Sequence, residues 1–490
     1  MSDFSRRKFL KTGAAALAGI TIAPSSILGM SHGHVSPTDK LNLAAVGIGG
    51  MGHANINNVK GTENIVALCD VDWKYAKGVF DEFPNAKKYW DYRKMYDEMG
   101  KSIDGVIIAT ADHTHAIITA DAMTMGKHVY CQKPLTHSVY ESRLLTKLAA
   151  STGVVTQMGN QGASGEGTDL VCEWIWNGEI GEVTKVECAT DRPIWPQGLN
   201  APEKADRIPN TLNWDLFTGP AKLNPYNNVY HPWNWRGWWD YGTGALGDMA
   251  CHILHQPFRA LKLGYPTKVE GSSTLLLSAC APQAQHVKMI FPARDNMPKV
   301  ALPEVEVHYD GGMMPERPKG FPEGKQLMGP GGGLTIFHGT KDTLICGCYG
   351  EQPFLLSGRV PNAPKVCRRV KCSHEMDWVR ACKEDKSNRV MPKADFSESG
   401  PMNEMVVMGV LAIRLQGLNK TLEWDGANMC FTNIGDNETL RTCIKDGFTI
   451  HDGHPSFNKT WTDPINAKQF AAELVKHNYR EGWKLPDMPR

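Results

Sequence analysis

The sequence predicts an α/β protein in which a doubly wound parallel sheet precedes a larger α+β domain with a mainly antiparallel sheet. Three observations predict this fold class. A glycine-rich turn, Gly47 to Gly52, follows an apolar run that begins at Leu41. Short apolar segments then alternate with helical patterns as far as about residue 158, as in successive βα units. Beyond residue 160, β-rich runs follow one another without regular crossover helices, so an antiparallel sheet is expected there.

The first strand and its turn have the spacing of a dinucleotide-binding loop. Gly47 permits a tight turn, Gly49 has no side chain to strike a phosphate, and Gly52 lets the following helix pack closely on the strand. Ile48, Gly50 and Met51 complete the loop. Glycine triplets also occur in plain loops, so the interpretation depends on the surrounding sequence.

The residue Asp70 supplies that context. It ends a second apolar run, Asn64 to Cys69, and lies 23 residues after Gly47. A carboxylate near this position binds the ribose of the cofactor in Rossmann-type domains; a polar strand end is the alternative interpretation. Val71, Asp72 and Trp73 follow it rather than arginines, so a 2′-phosphate would meet carboxylates and no cation. The sequence therefore favours NAD over NADP.

Composition excludes several classes of function. The 490 residues suit two or three domains with a large core. The 53 Lys and Arg residues balance 52 Asp and Glu residues, which disfavours a nucleic-acid-binding surface. Thirteen cysteines without CxxC pairs fit neither a disulfide framework nor a zinc site. We therefore expect neither a nucleic-acid partner nor a metal.

The N-terminus matches a twin-arginine export signal. Arg6 and Arg7 precede a mildly apolar run from Gly13 to Ile22; a basic amphipathic N-terminus is the alternative. The apolar run is too short to span a bilayer as a stable helix, so no transmembrane segment is expected in the mature form. We expect residues 1–36 to be signal and lead-in, and the protein to be exported to the periplasm.

Two domains are expected after this segment. Residues 37–160 should form the NAD-binding domain, and residues 161–490 the α+β domain. The expected elements are strands at 41–46, 64–70, 103–110, 127–131, 153–158, 183–189, 269–277, 334–345 and 422–431, and helices at about 166–177, 244–263, 374–384 and 402–416. Segments 190–241 and 281–333 are rich in loop residues, and loops of this length are usually functional or interfacial.

Two short patterns carry side chains suited to proton transfer. Lys133 follows the strand at 127–131, where an ammonium can stabilise charge that develops on a substrate oxygen; a surface lysine is the alternative. Asp248 and His252 are four residues apart on an expected helix and therefore share a face. A histidine can take a hydroxyl proton near neutral pH while a carboxylate orients it; a helix-terminal acid and a core histidine are the alternatives. His255 is one turn on, but nothing else marks a set of metal ligands.

Aromatic residues are dense between positions 195 and 241, which hold six of the fourteen tryptophans. Flat aromatic faces beside Asn234 and Arg236 suit the ring of a neutral sugar, whereas buried aromatic residues ordinarily belong to a core or a subunit contact. The residues concerned are Trp195, Trp214, Tyr226, Tyr230, Trp233, Trp235, Trp238, Trp239 and Tyr241.

These stretches together resemble the Gfo/Idh/MocA oxidoreductases, the family of glucose–fructose oxidoreductase and inositol dehydrogenase. The resemblance covers nearly the whole chain after the signal and includes a late helical pattern from Glu404 to Arg414. It implies catalytic roles for Lys133, Asp248 and His252. The remaining matching stretches are Gly47–Gly52, Ala109–His115, Gly126–Pro134 and Gly247–His252.

The resemblance also implies the ligands of the site. The cofactor, NAD that is tightly bound, would contact the glycine loop, Asp70, Lys133 and a set of residues near the nicotinamide. The substrate, a sugar or glycoside, would contact the three catalytic residues with Arg236, Trp238 and Tyr241. The expected nicotinamide-side residues are Thr110, Asp112, His113, His115, Gln132, Asn160 and Gln161. Gln132 replaces the glutamate that is usual in the family, so the charge beside the nicotinamide differs.

Three functions are compatible with the resemblance. A subgroup similar to this family consists of NAD-dependent α-N-acetylgalactosaminidases, which oxidise C3, eliminate the aglycone and return the hydride. Their motif lacks the lysine that is present here as Lys133. We therefore expect a dehydrogenase that oxidises a secondary hydroxyl, with C3 favoured, rather than a glycosidase or a protein that only binds carbohydrate. A homo-oligomer, dimer or tetramer, built on the open face of the second sheet is also expected.

Overall fold

The computed structural model describes residues 39–490 except positions 296, 298, 301 and 330. The expected export signal, with Arg6 and Arg7, lies outside the described residues. Within the described part of the chain, no helix combines the length and apolar character that crossing a bilayer requires.

The first domain is a parallel sheet with helices on both faces. Its strands are ordered β3-β2-β1-β4-β5-β6, so the direction of winding changes between β1 and β4. Ligands bind past the carboxyl ends of the strands at such a point. The elements are β1 (Asn42–Val46), α1 (Met51–Val59), β2 (Asn64–Cys69), α2 (Lys77–Glu82), β3 (Lys87–Tyr89), α3 (Tyr92–Met99), β4 (Gly105–Ile108), α4 (Asp112–Thr124), β5 (His128–Cys131), α5 (Val139–Thr152) and β6 (Thr156–Met158).

The second domain is built on a nine-stranded sheet ordered β13-β12-β11-β7-β10-β9-β8-β14-β15. Neighbouring strands are antiparallel except for the parallel pair of β7 and β10. The elements are α6 (Glu166–Trp176), β7 (Val183–Thr190), α7 (Trp214–Thr218), α8 (Gly244–Ile253), α9 (His255–Ala260), β8 (Lys268–Ser273), β9 (Gln285–Phe291), β10 (Val305–Gly311), β11 (Gly333–Gly339), β12 (Thr343–Gly347), β13 (Phe354–Leu355), α10 (His374–Lys383), α11 (Phe396–Arg414), β14 (Leu422–Asp425), β15 (Cys430–Phe431), β16 (Thr439–Leu440), β17 (Cys443–His451), β18 (His454–Trp461), β19 (Ile465–Asn466) and α12 (Ala467–Val475).

The two faces of the nine-stranded sheet differ. One face packs against α8 and α11, and most residues of α11 are buried there. The other face carries ion pairs between neighbouring strands, such as Lys288 with Glu306 at 2.6 Å and His286 with Asp310 at 2.7 Å. The expected fold class, a parallel doubly wound sheet followed by a mainly antiparallel one, is confirmed.

Segment 281–333 was expected to be a loop-rich insertion, and this is wrong. It contains β9 and β10, which lie within the second sheet. Both strands alternate between buried and partly exposed residues, as one-sided strands do. Proline-rich flanks at 292–303 and 315–330 obscure these two alternating runs in the sequence.

The helix expected at 244–263 is two helices that meet at Leu254. Pro257 has no N–H to donate to the carbonyl of Ile253, four residues earlier, so regular helical bonding stops there. The Thr335 hydroxyl donates to that carbonyl instead, at 2.8 Å. The first of the two helices therefore ends at Ile253, directly after His252.

A late segment completes the core of the first domain. Trp378, in α10, is fully buried in the same hydrophobic cluster as Leu43 and Ile107. A Cβ atom added at Gly105 would lie 3.0 Å from the Trp378 ring. The parallel sheet therefore depends on a helix that follows it by more than two hundred residues.

Candidate active site

The glycine loop lies at the carboxyl end of β1, at the point where the winding direction changes. Gly47 has a φ of 75°, a backbone conformation that L side chains rarely adopt. A Cβ atom at Gly52 would lie 1.9 Å from the carbonyl oxygen of Gly47, so only glycine allows α1 to approach this closely. Gly47, Gly49, Gly50 and Met51 face a cavity, whereas Ile48 is part of the core.

Asp70 directly follows β2 and supports this loop. One carboxylate oxygen accepts hydrogen bonds from the N–H groups of Ile48 at 2.9 Å and Gly49 at 3.4 Å. The other accepts from the N–H of Asp72 at 2.9 Å. Burial raises the pKa of Asp70, although these N–H groups oppose the increase. The carboxylate lines the cavity next to the loop, where the sequence places the ribose contact.

The cavity has a volume of about 250 Å³ and runs from the glycine loop to the beginning of α8. Eight further side chains expected at the site, or named for their aromatic faces, contribute to its wall. They are Thr110, Gln132, Lys133, Trp195, Trp233, Trp235, Arg236 and Asp248.

Lys133, Asp248 and Arg236 meet at the end of the cavity distant from Asp70. The Lys133 ammonium lies 2.9 Å from a carboxylate oxygen of Asp248 and 3.2 Å from the main-chain carbonyl oxygen of the same residue. Arg236 donates to the same carboxylate oxygen at 3.3 Å. Burial alone would raise the pKa of Asp248, but Lys133 and Arg236 lower it to about 2. The site therefore holds two cations and one carboxylate at neutral pH.

His252 lies one helical turn beyond Asp248, but its ring does not line the cavity. It is 4% exposed and packs against the Tyr349 ring, with ring centres 4.6 Å apart. Neither ring nitrogen forms a hydrogen bond with a residue that the structure describes, and Nδ1 is fully buried. Burial, followed by the charge of Lys133, lowers the pKa of His252 to about 3. The imidazole is therefore neutral at physiological pH.

Arg236 is held flat at the cavity wall by two tryptophans. Its guanidinium lies 3.9 Å from the Trp233 ring centre and 4.3 Å from the Trp235 ring centre. Trp238 and Tyr241, the other expected substrate residues, are buried in an aromatic cluster instead. Trp238 donates to the carbonyl of Val229 at 3.1 Å.

Family models match two regions of the chain. An "Oxidoreductase family, NAD-binding Rossmann fold" model matches residues 41–160, and an "Oxidoreductase family, C-terminal alpha/beta domain" model matches residues 183–270. The solved structure of WlbA dehydrogenase from Bordetella pertussis, a complex with NADH and UDP-GlcNAcA, superposes with a TM-score of 0.52 at 14% identity, covering 79% of this chain and 99% of that one.

The chain has the Gfo/Idh/MocA fold. Inositol 2-dehydrogenase of Salmonella typhimurium is 29% identical over 148 residues, 29% of this chain and 43% of the relative. Glycosyl hydrolase family 109 protein 1 of Shewanella sp. strain ANA-3 is 28% identical over 215 residues, 39% of this chain and 46% of the relative. The chain thus spans less than half the length of these curated relatives.

Two expected cofactor residues, Asp112 and His113, join the two domains of this Gfo/Idh/MocA fold, and a third, His115, bonds within the first domain. Asp112 accepts hydrogen bonds from the N–H of Thr243 at 3.0 Å and its hydroxyl at 2.8 Å, just before α8 begins. Burial raises the pKa of Asp112 to about 7. The ring nitrogens of His113 lie near the carbonyls of Tyr241 and Phe217, and those of His115 near the carbonyls of Thr110 and Pro134. Their contact with the cofactor stays a prediction.

Gln132 and Asn160 lie at neighbouring carboxyl ends, after β5 and β6. Gln132 lines the cavity and donates to Asn55 at 2.9 Å, which in turn donates to Glu375 at 2.7 Å. Asn160 is buried, and both its side-chain polar atoms lack a partner among the described residues. Gln161 begins the short turn Gln161–Ser164 that follows. Among the described residues the Asn160 amide is thus without a partner, whereas the Gln132 amide is bonded to Asn55 and to the N–H of Lys133.

Several site residues have no clear signal in the sequence. Tyr75 lies across the glycine loop, so a Cβ atom at Gly49 would be 2.2 Å from its ring. His231 bonds to Asp72 at 3.0 Å over the same end of the cavity, and Trp483 of the C-terminal segment completes the wall. Tyr349, beside His252, has a φ of 62°, a conformation uncommon for residues other than glycine. The density of aromatic residues between 195 and 241 predicted that some of them would line the site, but it did not single out Trp195, Trp233 and Trp235.

The residues present fit a nicotinamide dinucleotide. The glycine loop presents main-chain N–H groups at a helix N-terminus, and the cavity continues from it to Lys133 and Asp248. Across residues 39–490, the four undescribed positions excepted, no three His, Cys, Asp or Glu side chains are grouped in a way that could hold a metal ion.

Proposed function

We propose that this protein is an NAD-dependent oxidoreductase that oxidises a secondary hydroxyl of a sugar or glycoside, at C3. The observation that carries the proposal is the meeting of Lys133, Asp248 and Arg236 on the wall of a cavity that begins at the glycine loop. A hydroxyl beside Lys133 has a cation next to the oxygen on which negative charge develops. The similarity to inositol 2-dehydrogenase supports the same class of reaction.

Each catalytic residue has a separate task. When NAD is bound, its nicotinamide accepts the hydride. Lys133 holds the substrate oxygen, and Asp248 fixes the position of the Lys133 ammonium. His252 accepts the hydroxyl proton as a neutral imidazole. Because its ring lies behind the cavity wall, it acts through one bridging water or after a change of rotamer, both of which are compatible with general-base catalysis.

A second candidate function is glycoside cleavage through transient oxidation at C3 and elimination of the aglycone. The similarity to a family 109 glycosyl hydrolase favours it. Lys133 favours the simple dehydrogenase, because the glycosidase motif has no lysine there. A protein that only binds carbohydrate is the third candidate, and the retention of Lys133, Asp248 and His252 together argues against it.

Product analysis separates these candidates. The purified protein is incubated with NAD and a panel of p-nitrophenyl glycosides in D₂O. The dehydrogenase produces NADH and a keto-glycoside that retains its aglycone, which is the result we expect. Release of nitrophenol without net NADH, with deuterium at C2, would establish the glycosidase instead. The absence of both products from wild-type protein would leave only carbohydrate binding.

The cofactor is proposed to be NAD, retained between turnovers. Asp70 and Asp72 disfavour a 2′-phosphate, and a strap formed by residues 209–233 crosses the end of β2 above them. Its contacts include Trp73 N–H with Thr211 at 2.9 Å and Asn213 N–H with Val71 at 2.8 Å. Nucleotide released by denaturing the purified protein should be NAD or NADH. Recovery of NADP would contradict the assignment of Asp70.

Export to the periplasm and assembly into a homo-oligomer are further parts of the proposal. The twin-arginine pattern at Arg6 and Arg7 motivates the first, and fractionation of cells that express the full chain tests it. The open face of the second sheet motivates the second. Light scattering that gives a monomer at micromolar concentration would contradict the oligomer.

A further inference from the structure

A second cavity, of about 260 Å³, is lined in part by His113. It is enclosed by the beginnings of α4 and α5, the end of α11, α12 and the segment that follows α12. Its wall includes His113, His137, Trp239, Arg414, Phe470 and His477. It shares no lining residue with the cofactor cavity.

Arg414, the last residue of α11, is the only arginine in this wall. Its guanidinium lies 5.3 Å from the Trp239 ring centre and 5.4 Å from the Phe470 ring centre, within the range of cation–π attraction. It forms neither an ion pair nor a hydrogen bond with any residue in the described part of the chain. The five N–H donors of this guanidinium therefore have no acceptor among the described residues.

Two other arginines that face the protein interior, Arg143 and Arg259, are paired, whereas two buried nitrogens of Arg294 have no partner among the described residues. Arg143 makes two bonds to Glu404, at 2.8 and 2.9 Å, and Arg259 makes three to Glu398, between 2.7 and 3.1 Å. Burial lowers the pKa of Arg414 to about 10, which still leaves it charged at neutral pH. Arg414 is partly buried, and a cation that is partly withdrawn from water without a partner favours a nearby anion.

The acidic groups near the cavity do not fill this role. Glu141 accepts hydrogen bonds from Tyr479 at 2.7 Å and from the N–H groups of His137 and Ser138 at 2.9 and 3.0 Å. Asp240 is exposed and accepts from Asn224 at 2.7 Å, and Glu473 is exposed at the rim. Asp240 raises the pKa of Arg414 from a distance but does not contact it.

The remaining polar groups of the wall include the His137 and His477 rings, the Asn478 amide and Lys222. His137 and His477 pack edge to face with ring centres 4.7 Å apart, and one nitrogen of His137 lies 3.1 Å from the Gly242 carbonyl. Burial lowers the pKa of His477 to about 4, so its ring is neutral and can donate one hydrogen bond. Lys222 adds a second positive charge to the lining.

We infer that this cavity binds a small oxyanion, a carboxylate or phosphate, through the Arg414 guanidinium between Trp239 and Phe470. A planar guanidinium fits two oxygens of such a group in parallel hydrogen bonds. Arg414, Phe470 and His477 follow residue 270, where the regions matched by the family models end, whereas His113, His137 and Trp239 lie within those regions. No residue that lines the cofactor cavity takes part, although His113, which is predicted to contact the cofactor, lies in the wall of the second cavity.

The test measures anion binding to the full-length protein saturated with NAD, so that the glycine loop is occupied. Inorganic phosphate and succinate are titrated separately by calorimetry at constant ionic strength. We expect wild-type protein to bind at least one of them, and Arg414→Gln to weaken that binding about 10- to 100-fold, as the loss of charged hydrogen bonds predicts. Arg207→Gln, which removes an exposed arginine outside the cavity, is the matched control and should bind as wild type does.

Two results would overturn the inference. Wild-type protein that binds neither phosphate nor succinate has no such site, and Arg414→Gln protein that binds as tightly as wild type places the anion elsewhere. If Arg414→Gln fails to fold, Arg414→Lys replaces it, because lysine keeps the charge but loses the planar pair of donors. Unchanged binding in Arg414→Lys would then contradict the inference. Neither measurement depends on turnover, so the catalytic proposal can fail separately.

Discussion

Lys133 is the residue on which the catalytic proposal most depends. Its ammonium lies 2.9 Å from Asp248 at the cavity wall, where it can contact both that carboxylate and a substrate oxygen. Lys133→Ala should lower kcat about 10²- to 10³-fold, because one preorganised donor to the developing oxyanion is lost. NAD binding should change little. Steady-state kinetics on a glycoside substrate provide the measurement.

Lys127→Ala is the control for this substitution. Lys127 precedes the same strand, β5, but lies at its other end and does not line the cavity. It should retain wild-type kcat. An equal loss in both variants would show that the effect comes from the strand rather than from the ammonium.

His252 makes a prediction about pH. Its pKa of about 3 in the free protein means that the imidazole stays neutral throughout the range from pH 5 to 8. Activity that requires the neutral base is lost only as pH falls toward 3, so kcat/KM should show no loss near pH 6.5. His252→Ala should lower kcat about 10²- to 10⁴-fold. A wild-type acid limb near pH 6.5, or full activity in His252→Ala, would contradict the assignment.

Site residues were predictable to different degrees. The glycine loop, Asp70, Lys133 and Asp248 lie at strand ends or helix starts, and the structure brings all of them to one cavity. Trp238 and Tyr241 are buried instead, because the sequence gives the density of aromatic residues but not the direction in which each ring points. Tyr75 and Trp483 carry no periodic pattern and reach the site only through tertiary folding.

The glycine loop makes a prediction at the scale of one strand–turn–helix element. Gly52→Ala would place a Cβ atom 1.9 Å from the Gly47 carbonyl oxygen, so α1 must move away from β1. We expect lower stability and much weaker NAD binding, measured by thermal unfolding and calorimetry. Gly61→Ala is the control, since a Cβ atom there meets nothing within 4 Å. Similar NAD affinity in both variants would contradict the role of this close approach.

Elements with a continuous apolar pattern were predicted best. Strands β1, β2, β4 and β5 are largely buried between helices, which produces the uninterrupted apolar runs seen in the sequence. Strands β9 and β10 were missed because their alternating pattern lies between proline-rich segments. The break between α8 and α9 follows from Pro257, a local signal that the overall helical pattern concealed.

At the scale of the whole molecule, buried histidines predict sensitivity to acid. In the folded protein burial lowers the pKa of five of them to about 3 or 4, against an ordinary value of 6.5. The unfolded chain therefore binds more protons as pH falls from 6.5 toward 4, and stability decreases in that window by at most about 1.4 kcal/mol per pH unit for each histidine. The residues are His113, His128, His252, His255 and His477.

Groups with raised pKa act in the opposite direction. Asp112, with a pKa of about 7, keeps a proton in the folded state that the unfolded chain loses, so it adds stability as pH falls. Five histidine pKa values are lowered to about 3 or 4, whereas among the described carboxyl groups only the pKa of Asp112 is raised as far as about 7, so we expect a net decrease in the free energy of unfolding from pH 7 to pH 5. Denaturant titrations at pH 7, 6 and 5 provide the measurement. A constant or increasing free energy would contradict this balance.

Long-range assembly limits what the sequence alone reveals at this scale. The helix α10 enters the core of the first domain from residues 374–383, and Trp483 reaches the cavity from the end of the chain. The hairpin of β17 and β18 exposes Phe448, Ile450 and Phe457. Neither periodicity nor spacing in the sequence predicts the contacts of α10 and Trp483 or the exposure of this hairpin, because each depends on how separate elements pack together.

The transfer of hydrogen from substrate carbon tests the central claim most directly. The protein, loaded with NAD, is mixed with the glycoside that it turns over best, deuterated at C3, and the cofactor is analysed by mass spectrometry and NMR. The account predicts one deuterium at C4 of the reduced nicotinamide, formed in wild-type protein and greatly slowed in Lys133→Ala. Turnover that leaves the deuterium at C3 and the cofactor unlabelled would contradict hydride transfer from that carbon.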